Sequence, residues 1–249
     1  MAGEGKYIYC ITEAGQGETF GPGGIGGRGD ELGAIAYRDI AAVVSDSPVK
    51  RYPVSRENSL AHERAIEAVF KGHTVLPVRF CTIAEDGATV RAILEREYAE
   101  FKGLLERMRG KVELGLKAIF HEHRIYQDIL ERHEEIRRRK AALAGLPPQA
   151  RQLVEIGRMV EAALEGEKVR AREDILEALK GACHDFRLTR RILGERMIMN
   201  AAFLVDRAGE AEFDRRVDGL ADRYGERVRF KYVGGFPPFN FVCLTITLG

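Results

Sequence analysis

Tryptophan is absent from this chain, and cysteine and net charge are nearly so. There are four cysteines in 249 residues, and 39 basic side chains face 38 acidic ones. Cys10, Cys81, Cys183 and Cys243 stand far apart, with no C-x-x-C pair. That spacing excludes a zinc ribbon and a dithiol redox centre, and scattered reduced thiols suit a cytoplasmic protein. The balanced charge removes the electrostatic drive of a nucleic-acid binder or a polybasic membrane-surface protein. No apolar run approaches the roughly 20 residues of a membrane span. "MAGEGKYIYCI" lacks the basic stretch and long apolar core expected of a secretory signal. What remains is 45% apolar and 31% charged, the balance of a soluble globular protein large enough for two cores.

Along the chain, "KYIYCI" (6–11) and "AIAYRDIAAVVSD" (34–46) read as strands, with "AAVVS" central in a sheet. Between them, residues 15–33 hold nine glycines and read as a loop. No G-K-[ST] follows, which argues against a phosphate cradle. "SRENSLAHERAIEAVF" predicts a helix capped by Ser59. "TVLPVRFCTI" (74–83) predicts a strand interrupted at Pro77, and Val90, Leu94, Tyr98, Phe101, Leu105 and Met108 predict one helix over 87–108.

A second domain opens at "GKVELGLKAIF" (110–120), whose alternation predicts a half-buried strand. Two helices, near 125–143 and 149–191, flank "AGLPPQ" and form an antiparallel hairpin. "RMIMNAAFLVDR" predicts a strand, and "AEFDRRVDGLADRYG" a helix closed by Gly225. "RVRFKYV" and "FNFVCLTITL" predict two more strands around "GGFPPFNFV" (234–242). The expectation is an α+β protein of two domains, 1–109 and 110–249. Each has a small mixed or antiparallel sheet with helices on one side.

The pattern assembles no catalytic set. His121 and His123 share one side of a strand end, but two histidines do not fill a tetrahedral metal site. "HE" at 62–63 lacks the second histidine of a zinc-protease helix, and no G-x-S-x-G is present. Every cysteine sits among apolar neighbours, as small buried hydrophobes do. "ERHEEIRRRK" (131–140) mixes both signs, the mark of a solvated helix face. No catalytic residue, cofactor or metal is therefore expected.

Seven stretches together, "YIYCI", "AAVVSD", "HERAIEAVF", "TVLPVRFCTI", "EIGRMVEAAL", "NAAFLVDR" and "GGFPPFNFV", resemble the gas vesicle protein F/L family in order and spacing. The family's last motif usually has tryptophan or another large aromatic before the prolines and often tyrosine after them. Here Phe236 and Phe239 stand there, keeping the shape without the polar handles. The resemblance implies a non-enzymatic cytoplasmic protein with a modified ferredoxin-like second domain. It implies binding to the small shell-forming structural protein, with other accessory proteins as further partners. A shell subunit exposes apolar surface before assembly, and such surface aggregates unless it is covered. Arg79, Phe236 and Phe239 are the candidate contacts. Pro237 and Pro238 stiffen a turn that Asn240 is expected to fasten through its backbone groups. The alternative is a small-molecule enzyme or sensor using the 15–33 loop, His62, Arg79, His121 and His123.

Overall fold

The computed structural model describes residues 4–13, 15, 17–143, 150–189 and 194–247. The apolar run at the start forms β1 (Glu4–Thr12), the strand on which the first sheet is built. β2 (Thr19–Pro22), β3 (Glu31–Tyr37), β4 (Ile40–Pro48) and β5 (Val75–Pro77) follow in the order β2-β3-β4-β1-β5, with β6 (Ile83–Ala84) also on β1. β1 runs antiparallel to β4, and their register shifts between Ile8 and Cys10. Residues Tyr7 to Ile11 are all fully buried. That explains why β1 reads as a continuous apolar run rather than an alternating one.

Helices cover both faces of this sheet. Ile8, Ile11, Ile40 and Leu76 pack with Val90, Leu94, Phe101 and Leu105 of α2 (Gly87–Arg96) and α3 (Tyr98–Met108). Tyr7 and Tyr9 turn the other way, toward α1 (Arg56–Phe70). The one-sided layering expected of this sheet is therefore corrected: the two tyrosines need an apolar cover of their own. Ser55, not Ser59, caps α1, its hydroxyl accepting from the amide of Asn58. The single helix expected over 87–108 breaks at Glu97 (φ −99°, ψ 12°). Its apolar stripe continues across the break, which is why periodicity did not reveal it.

β7 (Lys111–Phe120) leads into the second sheet. Around it come α4 (Glu122–Arg132), α5 (Glu134–Ala142), α6 (Ala150–Lys180), β8 (Asp185–Leu188), β9 (Met197–Asp206), α7 (Glu210–Tyr224) and β10 (Val228–Phe236). The strand order is β10-β7-β9-β8. Leaving α4 and α5 aside, the succession β7-α6-β8-β9-α7-β10 is the β-α-β-β-α-β ferredoxin-like plan. The resemblance implied that plan, and α4 and α5 are its modification.

Two expectations here are corrected. The first hairpin helix is divided at His133 (φ −110°, ψ 87°). The second ends at Lys180, and Phe186, expected on its apolar stripe, lies on β8. Charge is also drawn inward. Glu167 of α6 is 3% exposed and receives Arg132 at 3.2 Å, Arg170 at 2.6 Å and Arg227, which also holds Asp128 at 2.7 Å. A buried carboxylate persists only with such partners. Arg132, expected on a solvated face, is thus one arm of a buried network.

The chain divides into two compact units, residues 1–113 with 235–249, and 114–234. The expected span of the second domain, 110–249, is therefore corrected at its C-terminal end. The predicted strand "FNFVCLTITL" does not complete a hairpin with β10. Instead Leu244 forms a parallel bridge with Val78. Its amide donates to the carbonyl of Pro77 at 2.8 Å, and the Arg79 amide donates to its carbonyl at 2.9 Å. Val242 and Leu244 join the cluster of Ile8, Leu76 and Leu105, with Ile246 packed against it. The expected alternation is real over these residues, but it serves the first sheet.

Candidate functional site

Proline has no amide hydrogen, so β5 stops at Pro77 and the chain turns through Arg79–Thr82. Cys81 takes a left-handed conformation there (φ 66°), unusual for a residue other than glycine. Two bonds hold it: its amide donates to the hydroxyl of Tyr7 at 2.8 Å, and its sulfur accepts from the amide of Tyr52 at 3.3 Å.

Tyr7 passes the chain on to His62, 3.1 Å from its hydroxyl to Nδ1, and His62 Nε2 lies 3.0 Å from the carbonyl of Val78. The directions follow from what each group can do. A carbonyl only accepts, so Nε2 carries the proton. Nδ1 then accepts from the Tyr7 hydroxyl, which keeps a lone pair for the Cys81 amide. His62 is 6% exposed, and burial pulls its pKa down from 6.5 to about 4. It is neutral and structural, and with Ser55 as the cap it lies midway along α1 rather than in the first turn.

Tyr9 stacks on the same imidazole at a centroid distance of 5.7 Å. Its hydroxyl lies 2.9 Å from Ser45 Oγ and accepts from the amide of Ile25 at 2.8 Å. Burial pushes the phenols of Tyr7 and Tyr9 upward, so both keep their protons. Ile25 lies in the middle of the glycine-rich stretch, which is only partly loop. It contains β2 and a short 3-10 turn, Ile25–Gly27. Gly26 has φ 77°, and a Cβ there would come within 2.9 Å of the Tyr52 ring. The glycines let the chain close over the tyrosines.

The tail supplies the second half of this unit's recognisable surface. Pro237 and Pro238 are buried, whereas Phe236 and Phe239 are half-buried. The carbonyl of Pro238 accepts from the amides of Phe241 and Val242 at 3.0 and 2.9 Å. Asn240 does not fasten the turn as expected. Its backbone and side-chain amides both donate to Glu113, at 2.7 and 2.5 Å. Glu113 is 6% exposed, so Asn240 serves a buried carboxylate. Arg79 is exposed, and its guanidinium meets no carboxylate among the described residues. The structure thus joins Arg79 to the tail through the backbone at Leu244, with Phe236 and Phe239 flanking the prolines.

Other candidate chemistry disperses. His121 and His123 are exposed, and no group of three metal-ligating side chains occurs among the described residues. His184 pairs with Asp206 at 2.7 Å rather than with neighbouring Cys183, whose thiol is pushed upward by burial and by Asp185. Cys243, expected to be buried, is exposed because it alternates with Val242 and Leu244. Among the described residues, no helix is long and apolar enough to cross a membrane.

Comparison with known proteins gives one answer. Residues 5–243 match the family model described as gas vesicle synthesis protein GvpL/GvpF. Gas vesicle protein F of Dolichospermum flosaquae is 26% identical over 203 residues, covering 80% of this chain and 82% of the relative. The Streptomyces proteins F and L are 28% and 26% identical, covering 88% and 95% of this chain and 91% and 92% of the relatives. In fold, the chain is similar to the crystal structure of GvpF from Anabaena sp., with a TM-score of 0.82 at 22% identity, covering 97% of this chain and 99% of that one. It is also similar to GvpF from Microcystis aeruginosa, with a TM-score of 0.72 at 22% identity, covering 95% and 98%. The family match spans both the tyrosine–histidine network and the proline motif of the tail, and the chain belongs to the gas vesicle synthesis protein GvpL/GvpF family.

Proposed function

We propose that this protein is a non-enzymatic accessory factor of gas vesicle formation that binds the small shell-forming structural protein. It acts in the cytoplasm, at the growing vesicle, in nucleation or ordered addition of subunits or as a minor component of the vesicle. The observation that carries this reading is the family match over residues 5–243. The site chemistry agrees with it. The buried polar groups, His62 and the tyrosines, are spent on one another and on the backbone, leaving none aimed at a substrate. An unassembled shell subunit must hide apolar surface, which calls for a partner with exposed contact groups rather than a catalytic pocket. Exposed Arg79 and half-buried Phe236 and Phe239 are the proposed contacts. One observation weighs against the alternative of a small-molecule site. The glycine-rich stretch and His62 do meet, but through Tyr9, which accepts from the Ile25 amide and stacks on the imidazole.

The test is co-expression with the shell protein followed by capture of the complex. Arg79→Ala and the double change Phe236→Ala with Phe239→Ala should lower the recovered shell protein, with circular dichroism verifying that each variant stays folded. Absence of association, together with normal vesicles after deletion of the protein, would overturn the proposal.

A further inference from the structure

β8 is an edge strand, paired only with β9 among the described residues, and all four of its residues are exposed. Phe186 and Leu188 are 36% and 46% exposed, unusual for large apolar groups on a free edge. The register pairs Phe186 with Phe203 and Leu188 with Ala201, and one step on, the Thr189 amide donates to the carbonyl of Asn200 at 2.8 Å. In an antiparallel ladder the bonded residues alternate. Asp185 and Arg187 therefore direct their backbone groups to β9, and Phe186 and Leu188 direct theirs outward. The outward amide of Phe186 is held by its neighbour, the Asp185 carboxylate, at 2.8 Å.

The order Asp185–Phe186–Arg187 is self-complementary about Phe186. We propose that β8 pairs antiparallel with β8 of a second copy of this chain, Phe186 opposite Phe186. A two-fold axis through that point puts each Asp185 opposite the partner's Arg187, on the same face of the joined sheet. The two Phe186 residues exchange a pair of backbone bonds, and their side chains meet on the opposite face. Pairing gives two existing contacts of Asp185 new partners. The Phe186 amide moves from the Asp185 carboxylate to the partner's carbonyl. The carboxylate moves to the partner's Arg187, in place of its own Arg187 at 4.0 Å. β10, the other edge, has no such symmetry: Arg229 and Lys231 would bring like charges together.

The inference concerns self-association and stands apart from capture of the shell protein. Sedimentation equilibrium of the full chain should show a concentration-dependent dimer. Asp185→Arg or Arg187→Asp alone places like charges across the axis twice and should weaken the dimer about tenfold or more. The double variant D185R/R187D restores opposite charges and should recover the dimer. An equimolar mixture of the two single variants should form a heterodimer. Circular dichroism and melting of each variant verify that the fold is retained. A monomer throughout the accessible concentration range overturns the proposal. So does a dimer indifferent to the single changes, or a mixture that fails to pair.

Discussion

Acid should weaken this protein through His62 before its carboxylates titrate. Unfolded, the imidazole takes a proton near 6.5; folded, burial lowers that to about 4. A depressed histidine pKa means that the unfolded state binds the proton first. The contribution of neutral His62 is complete above 6.5 and is lost as the pH falls through the window from 6.5 toward 4. Over the whole window the loss is about 3 kcal/mol, from roughly 1.4 kcal/mol per pKa unit. Between neutral pH and about pH 5 the same linkage gives roughly 2 kcal/mol. The physical cause is burial, which disfavours the charged imidazolium; the bond to the Val78 carbonyl opposes it only in part. A proton on Nδ1 would aim a second donor at the Tyr7 hydroxyl, whose own hydrogen would then lack its acceptor. The assay is urea unfolding across that pH range for the wild type and for His62→Gln, which has a donor and an acceptor but does not titrate. The variant should be less stable at neutral pH and should lose less on acidification. Subtracting the two curves removes the contributions of all other groups. Parallel curves would refute both the buried assignment and the neutral tautomer.

Two further predictions concern the turns around this unit. Asn240→Ala removes one donor from buried Glu113 while the backbone amide at 240 remains, so a loss of about 1–3 kcal/mol is expected in thermal or urea unfolding. A larger loss for Asn240→Asp, which sets a second carboxylate against the first, would identify Glu113 as the partner; equal melting of all three proteins would exclude it. Gly26→Ala should cost about 1–2 kcal/mol from the left-handed backbone alone, with a further penalty from contact with the Tyr52 ring. An unchanged melting temperature would mean that the loop is not closed over the tyrosines.

Local pattern made most of the elements readable, and long-range pairing hid their partners. The alternation of Val242, Leu244 and Ile246 identified a buried face correctly. It carried no information about which sheet that face would join, because the bridge to Val78 spans most of the chain. Asn240 was expected to need a partner and has one. The partner is Glu113, 127 residues earlier, rather than the adjacent turn. The end of α6 was missed for a different reason. Leu179, Ala182 and Phe186 continue a helical spacing, and a four-residue strand is too short to announce a period of two.

The tyrosine–histidine network shows most clearly where sequence reading stops. "YIYCI" reads as an apolar strand, and nothing in it separates the tyrosines that face α1 from the isoleucines that face α2 and α3. His62 sits midway along α1, and nothing in its local sequence separates it from a solvated surface histidine. Only the arrival of Tyr7, 55 residues away, makes it neutral and buried. Two signals were nevertheless present: a proline closing β5 just before "VRFCT", and glycines dense enough to let Ile25 reach Tyr9. Both mark places where the backbone must approach side chains closely. The proline alone suggested an interrupted strand and the glycines a loop; together they enclose protein side chains. The polar groups of this unit are thereby committed to holding "TVLPVRF" and the tail in place. That is why its exposed groups, Arg79 among them, are the contacts proposed for a partner.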